Sequence, residues 1–291
     1  MFNKICIIGV GLIGGSIALA ARKKKLCSDI VGFGRLEDNK NLDLAQAKGI
    51  IDHHYFDIKS AVQGADCVVI ATPVGVIEDI FIQLKDHWSD SAVYSDVGST
   101  KVNVVEAVEK VFGFMPENFV PTHPIAGAEQ SGAEAAIDSL FDKKRLIITP
   151  TLETSQQSLS KMQQFWEMLG ASISIMDVEH HDHVLAATSH LPHILAFSLV
   201  DLLGKKDEKN EIFKFAAGGF KDFTRIASSD PSMWRDICLA NKNEITQLIQ
   251  QLQNELEKIS KMLENDESQM LFDTFDNARK ARQRFLNLFE Q

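Results

Sequence analysis

Four side chains in this chain have the chemistry to act on a small molecule. His123 stands directly before Pro124. Ser99 lies inside Asp96-Val97-Gly98-Ser99-Thr100-Lys101. His193 closes Ser189-His190-Leu191-Pro192-His193, and Arg225 follows Asp222 by one helical turn. A neutral imidazole accepts a proton near physiological pH, and a guanidinium grips a carboxylate through paired hydrogen bonds. A fifth element is suited to phosphate. Gly9-Val10-Gly11-Leu12-Ile13-Gly14 follows the apolar run 5–8 and opens an apolar-rich stretch that ends in the basic run 22–25. Strand, glycine turn and helix make the first half of a nucleotide-binding βαβ unit. Gly9 allows the tight turn, Gly11 lets a pyrophosphate approach the backbone, and Gly14 lets the helix pack on the strand. The helix start offers N–H groups and a positive dipole end to the phosphates.

Such residues need a sheet whose strands end beside them. Strands are expected at 29–33, 67–71, 92–95 and 119–122, with His123 immediately after the last. The run 67–71 is continuously apolar, as suits a parallel strand buried on both faces. Thr72 and Pro73 follow it, where loops line the ligand crevice of open α/β sheets. Helices are expected at 42–48 and 74–84, and from the end of the Asp96 loop to 111. Strands at 146–149 and 172–176 flank a helix at 154–169. After Asp177 strand signals vanish. Residues 186–203 are strongly apolar, and 241–263 carries Ile245, Leu248, Ile249, Leu252, Leu256, Ile259 and Leu263 at helical spacing, a packing stripe. The tail, 272–289, is amphipathic with a charged face. The fold class is therefore α/β: an N-terminal Rossmann-type doubly wound sheet over 1–177, then an all-α part over 178–291. Pro192 is expected to kink its helix and free the Thr188 carbonyl, and Gly218-Gly219 to form a flexible turn ahead of Phe220.

Composition narrows the function class. The 291 residues are 45% hydrophobic and 24% charged, ordinary for a globular enzyme. A formal net charge of −10 argues against nucleic-acid or anionic-membrane partners. Cys6, Cys27, Cys67 and Cys238 are scattered without a CxxC, which fits a reducing compartment and points to the cytoplasm. Gly9 to Gly15 interrupts the only N-terminal apolar run, so no signal peptide is expected. No apolar stretch is read as long enough to span a bilayer. Where NAD-binding folds place an acidic residue after the second strand, this chain has Gly34 followed by Arg35. A carboxylate would repel a 2′-phosphate and a guanidinium pairs with one, so NADP is favoured over NAD. The other reading leaves Arg35 solvated, with Glu37 or Asp38 on the ribose.

Together with the glycine loop, the segments DVGSTK (96–101), PTHPIAGAEQSG (121–132), SHLPH (189–193) and GGFKDFTRIASSDPSMWR (218–235) resemble the prephenate dehydrogenase family, which includes arogenate and cyclohexadienyl dehydrogenases. The resemblance runs over nearly the whole chain. It implies oxidative decarboxylation of a cyclohexadienyl 4-alcohol, with hydride leaving C4 for NAD(P), the ring carboxylate leaving as CO2, and the ring aromatising. On that reading His123 takes the hydroxyl proton, and Ser99 hydrogen-bonds the same hydroxyl and orients the nicotinamide. Ser99 also suits an N-cap. His193 binds substrate, Arg225 holds the ring carboxylate with Asp222 fixing its fork, Trp234 shapes the pocket, and Glu129 stands at its mouth. Cofactor contacts fall to Gly9, Gly11, Leu12, Ile13, Gly14, Arg35, Thr72 and Pro73. The family also implies a homodimer formed by the helical part.

Three alternatives stay open. A β-hydroxyacid-type dehydrogenase would place a catalytic lysine where this chain has SHLPH. A dinucleotide sensor without turnover would not require His123, Ser99, His193 and Arg225 together. A metal site would draw on Glu179, His180, His181, His183, His190 and His193, but no HExxH spacing is present and hydride transfer needs no metal, so none is expected. His180, His181 and His183 read as surface residues at a helix start. The stretch before Lys4 is too short for a chorismate mutase domain, and no ββαββ pattern follows Leu263, so feedback by tyrosine is expected, if anywhere, at the catalytic pocket.

Overall fold

A computed structural model describes residues 1–128, 130–207 and 211–287. Two compact units divide it, Met1–Lys242 and Asn243–Gln291. The first is built on one eight-stranded sheet: β1 (Lys4–Ile8), β2 (Asp29–Phe33), β3 (His53–Tyr55), β4 (Cys67–Ile70), β5 (Val93–Asp96), β6 (Phe119–Pro124), β7 (Arg145–Ile148) and β8 (Ser172–Ile175). The spatial order is β3-β2-β1-β4-β5-β6-β7-β8. Six strands run parallel. β7 meets β6 antiparallel, pairing His123 with Ile147, and β8 runs parallel to β7. The order 3-2-1-4-5-6 reverses between β1 and β4, which is where such sheets open a crevice.

Alternation explains the layers. Ile5 and Ile7 of β1 enter one apolar layer with Ile17, Phe165 and Trp166, while Cys6 and Ile8 enter the other with Phe81, Tyr94 and Phe119. A strand covered on both faces must be apolar at every position, and β4 is buried throughout. The covering helices are α1 (Leu12–Lys23), α2 (Asn39–Ala47), α3 (Ile58–Val62), α4 (Ile77–Leu84), α5 (Val102–Phe112) and α6 (Gln156–Met168). Asp57 caps α3 through Ser60 N at 2.9 Å, and Ser155 caps α6 through Ser158 N at 3.2 Å.

The strand expectations hold at every position named, but β3 and α3 go beyond them. β3 is three residues long with a polar, half-exposed surface, so it carries no hydrophobic run to read. His123 lies within β6 rather than after it, because β7 extends the pairing of β6 to Pro124.

Beyond β8 the unit continues as α7 (Val178–Leu185), a π-helical turn (Ala186–His190), α8 (Leu191–Lys206), α9 (Gly218–Thr224) and α10 (Pro231–Ala240). Pro192 falls in the first turn of α8, directly after the π-helical turn and inside the continuous helical run 178–206. Gly218 and Gly219 start α9 rather than forming a turn ahead of it. Residues Val178–Lys206 form a helical run long and apolar enough, by length and composition, to cross a membrane. That departs from the sequence expectation, because the apolar stretch 191–204 joins α7 through the π turn. The same run carries His181, Asp182 and His190, all buried.

The second unit holds most of α11 (Lys242–Glu264) and α12 (Ser268–Asn287). Both follow the helical periodicity expected of them. Leu256, Leu263, Met270, Phe272 and Phe275 are exposed along them.

Candidate active site

The carboxyl ends of β1, β4, β5 and β6 bring the named segments together. At β1 the chain turns at Gly9, whose φ of +93° disfavours any residue with a side chain; a Cβ there would also lie 2.8 Å from Ala71 O. A Cβ on Gly14 would sit 2.2 Å from Gly9 O and 2.8 Å from Ile7 Cγ2, so only glycine lets α1 approach β1 this closely. At Gly11 a Cβ would meet nothing within 4 Å, which leaves open space over the helix start. Gly11 is the N-cap of α1 and supplies no side-chain cap, and the first turn, from Leu12 and Ile13, carries no acidic residue. The N–H groups of the helix start are therefore left without a side-chain cap and suited to an anion. Beside the loop, Thr72 Oγ1 is buried without a hydrogen-bond partner among the described residues, and Pro73 follows it exposed. This cradle fits the pyrophosphate of a dinucleotide. Arg35, at the end of β2, is exposed and paired with Asp38 (Nε to Oδ2, 3.1 Å) and Glu37 (Nη1 to Oε1, 3.6 Å).

Sequence reading missed Asn41 on α2. Its Nδ2 donates to Val10 O at 2.7 Å and its Oδ1 accepts from Ala133 N at 2.8 Å. It thereby ties the glycine loop to the segment after β6.

Asp96 and Lys101, at the two ends of DVGSTK, form a completely buried ion pair. Lys101 Nζ also donates to Thr122 O at 2.8 Å, Gly98 N donates to Asp96 Oδ2 at 2.7 Å, and Thr122 Oγ1 donates to Asp96 O at 2.5 Å. Burial pulls the Lys101 ammonium below its ordinary value, opposed by the charges of Asp96 and Asp182. A buried ion pair is held only by full hydrogen bonding. Here that bonding closes the loop onto β6 one residue before His123. Ser99 lies half-buried inside the closed loop. It does not cap α5: the N-cap is Lys101, without a side-chain cap. The cap comes from α7, where Asp182 Oδ1 accepts from Lys101 N at 2.8 Å and Oδ2 from Val102 N at 3.0 Å.

The same Asp182 begins a chain of ring contacts. His181 Nδ1 lies 2.7 Å from Asp182 Oδ1, and His181 Nε2 lies 2.8 Å from His123 Nδ1. Burial alone would raise the Asp182 carboxyl, but hydrogen bonds from His181 and from the N–H groups of Val102 and Lys101 hold it below its ordinary value. It is therefore an anion and only accepts. That places the His181 proton on Nδ1 and a lone pair on its Nε2, which accepts from His123 Nδ1–H. His123 is left with a lone pair on Nε2. Burial, followed by His181, Lys101 and His190, pushes His123 well below the ordinary imidazole value, so it is neutral at physiological pH. His181 is completely buried, not a surface residue at a helix start. Adjacent histidines in a polar run gave no sign of which one faces inward.

His190 is buried about two turns further on. Asn241 Nδ2 donates to Asp182 O at 2.8 Å and approaches His190 Nδ1 at 3.2 Å. Burial lowers His190 to about 4. His193 Nδ1 donates to Ser189 O at 2.9 Å, which leaves its Nε2 as the acceptor, and its ring stacks on Trp234. Burial lowers His193 too, and the nearby Arg225 charge adds to this. Each of His123, His190, His193 and Arg225 thus lies close enough to the next to depress the proton affinity of an imidazole. Trp234 packs with Ile237 and Val74, the residue after Pro73. Asp230 fixes the start of α10 by accepting from Met233 N at 2.8 Å. Arg225 opens a short 3-10 turn after α9. Glu129 lies outside the described residues. Among the described residues no cluster of three or more histidine, cysteine or acidic side chains is arranged to hold a metal.

Residues 17–175 match the family description "Prephenate dehydrogenase, nucleotide-binding domain", and residues 177–277 match "Prephenate dehydrogenase, dimerization domain". The chain belongs to the prephenate dehydrogenase family. Among relatives of this family, the cyclohexadienyl dehydrogenase of Zymomonas mobilis is 34% identical over 97% of this chain and 96% of its own length. The prephenate dehydrogenase of Bacillus subtilis is 37% identical over 97% of this chain and 76% of its own. The crystal structure of Aquifex aeolicus prephenate dehydrogenase, in complex with hydroxyphenyl propionate and NAD+, superposes with a TM-score of 0.89 at 34% identity, covering 98% and 99% of the two chains. Within this prephenate dehydrogenase fold, the segments that carried the resemblance meet on one side of the sheet. The residues to which the sequence gave no part in the reaction are those behind them: Asp96, Lys101 and Thr122 under the Ser99 loop, and His181, Asp182 and Asn241 behind His123 and His190.

Proposed function

We propose that this chain catalyses the NAD(P)-dependent oxidative decarboxylation of prephenate to 4-hydroxyphenylpyruvate, or of arogenate to tyrosine, in tyrosine synthesis. One observation carries the reading: a buried, neutral His123 whose Nε2 has a lone pair, close to His190, which in turn neighbours His193 with its Trp234 and Arg225 contacts. Bound in the cradle of Gly9, Gly11, Leu12, Ile13, Gly14, Thr72 and Pro73, an oxidised nicotinamide dinucleotide supplies the hydride acceptor. His123 Nε2 takes the C4 hydroxyl proton as C4 becomes electron-poor, and Ser99 hydrogen-bonds that hydroxyl. Arg225 holds the ring carboxylate until its C–C bond breaks and the electron pair enters the ring, releasing CO2. His193 and Trp234 bound the pocket. Arg35 disposes the site to NADP, in competition with its own carboxylate partners Glu37 and Asp38.

The functional division falls at Asp177, with 1–177 for the dinucleotide and 178–291 for substrate and dimerisation. The exposed apolar residues of α11 and α12 support a homodimer, as does the match to a dimerization domain. Four unpaired cysteines support a cytoplasmic location.

Purified protein given prephenate or arogenate with NAD+ or NADP+ is expected to produce NAD(P)H, with His123→Asn losing turnover while keeping cofactor affinity. Absence of NAD(P)H with all four pairings, or unchanged turnover in His123→Asn, overturns the reading.

A further inference from the structure

We propose that His181 and Asp182 are positioning residues for the reaction: they lock His123 with its Nδ1 protonated and its Nε2 bare, and His181 shares the proton that His123 gains. The inference rests on the reading of His123 as the proton acceptor. The geometry runs through three links. Asp182 is pinned by the first turn of α5, through Lys101 N at 2.8 Å and Val102 N at 3.0 Å. Its Oδ1 holds His181 Nδ1 at 2.7 Å, and His181 Nε2 holds His123 Nδ1 at 2.8 Å. All three side chains are buried, so water does not compete for these bonds.

A lone imidazole can carry its proton on either nitrogen, and only one tautomer leaves a base facing the hydroxyl. A carboxylate that can only accept decides the question for His181, and His181 decides it for His123. When the hydroxyl proton reaches His123 Nε2, the proton on Nδ1 shifts toward His181 Nε2. The positive charge then spreads over two rings next to the Asp182 anion. No further proton moves, because the α5 N-terminus keeps Asp182 a weak base. The groups facing His123 account for this arrangement: His181 and Asp182 from α7, Lys101 paired with Asp96 from the β5–α5 loop, and His190 from the π turn. Without Asp182, two buried imidazoles and the Lys101 charge would oppose proton uptake by His123. The α5 cap also links this chain to the loop that carries Ser99, so that acceptor and serine are held by one carboxylate.

Asp182→Asn tests the claim: with its amide oxygen kept on Val102 N and its NH2 in the place of Oδ1, where the bond from Lys101 N is given up, the side chain donates to His181 Nδ1. That reverses both tautomers and puts a proton on His123 Nε2. The expected result is a kcat lower by a factor on the order of 10² to 10⁴, with KM and dinucleotide affinity within about threefold and activity partly recovered at high pH. His181→Gln, whose amide oxygen can accept from His123 Nδ1–H, should exceed His181→Leu in kcat. A kcat within threefold of wild type in Asp182→Asn overturns the proposal. If His123→Asn is inactive in the same assay, only the positioning role falls; if it too is fully active, the underlying reading falls. Should Asp182→Asn fail to fold, nitrogen-15 histidine NMR of the unaltered protein decides. Protonated Nδ1 with bare Nε2 on both His123 and His181 supports the assignment, and a protonated His123 Nε2 overturns it.

Discussion

Trp234 lies face to face with His193, ring centroids 3.7 Å apart and planes 20° from parallel. The contact joins α10 to α8, and with Val74 and Ile237 it forms a small apolar cluster beside the loop after β4. Stacking of this kind contributes about 0.5–1.5 kcal/mol beyond burial, and it fixes the plane in which His193 presents Nε2. Trp234→Leu is expected to raise KM for the cyclohexadienyl substrate by roughly tenfold with a smaller effect on kcat, while Trp234→Phe, which keeps a ring, falls between. Steady-state kinetics at saturating cofactor separates the two parameters.

Gly11 and Gly14 are expected to fail in different ways. Alanine at Gly14 would drive a Cβ to 2.2 Å from Gly9 O, so α1 must shift away from β1. Both the melting temperature of the apoprotein and its affinity for dinucleotide should fall. Alanine at Gly11 meets no protein atom within 4 Å, so the apoprotein should keep its melting temperature and lose only cofactor affinity. Thermal denaturation with a parallel cofactor titration tells these apart.

The buried imidazoles make stability pH-dependent. Burial lowers His190 to about 4, and it also lowers His123 and His181, in His181 against the opposing hydrogen bond to Asp182. The unfolded chain protonates these rings near 6.5. Between that value and the folded one the unfolded state binds more protons, so stability is full above about pH 6.5 and is lost as pH falls toward 4. His190 alone accounts for about 3 kcal/mol over that window. Urea denaturation at a series of pH values should show the midpoint dropping below pH 6.5, and His190→Gln should flatten the drop. A flat wild-type profile from pH 7 to 5 counts against buried neutral histidines.

Arg35 is shared between Asp38 and Glu37 at 3.1 and 3.6 Å. If it serves a 2′-phosphate, Arg35→Ala should weaken NADP+ binding by about tenfold and leave NAD+ unchanged, and Asp38→Asn should favour NADP+ by freeing the guanidinium. Equal effects on both cofactors would return Arg35 to a surface role. Isothermal titration with each dinucleotide measures the difference.

The contrast between His123 and His181 shows what could be read in advance. His123 stands in a distinctive local string, HPIAG after an apolar strand, and its setting at a strand end was legible from neighbours in the chain. The glycine loop was legible for the same reason, since turn, close approach and helix packing are demands that adjacent residues reveal. Strands covered on both faces, such as β4, announced themselves by unbroken apolar runs. β3 did not, because a short edge strand needs no such run.

By itself, then, the sequence determined the doubly wound sheet, the helical half, and the loops that end beside the cofactor cradle, because backbone sterics and hydrophobic periodicity act over a few residues. Only the tertiary structure decided that Asp182 caps α5, 80 residues before it in the chain, that Lys101 is buried against Asp96, and that His181 rather than His180 or His183 meets His123. Those choices depend on which polar groups share one water-free space, and a partner for a buried charge is selected by distance across the fold, not by separation along the chain.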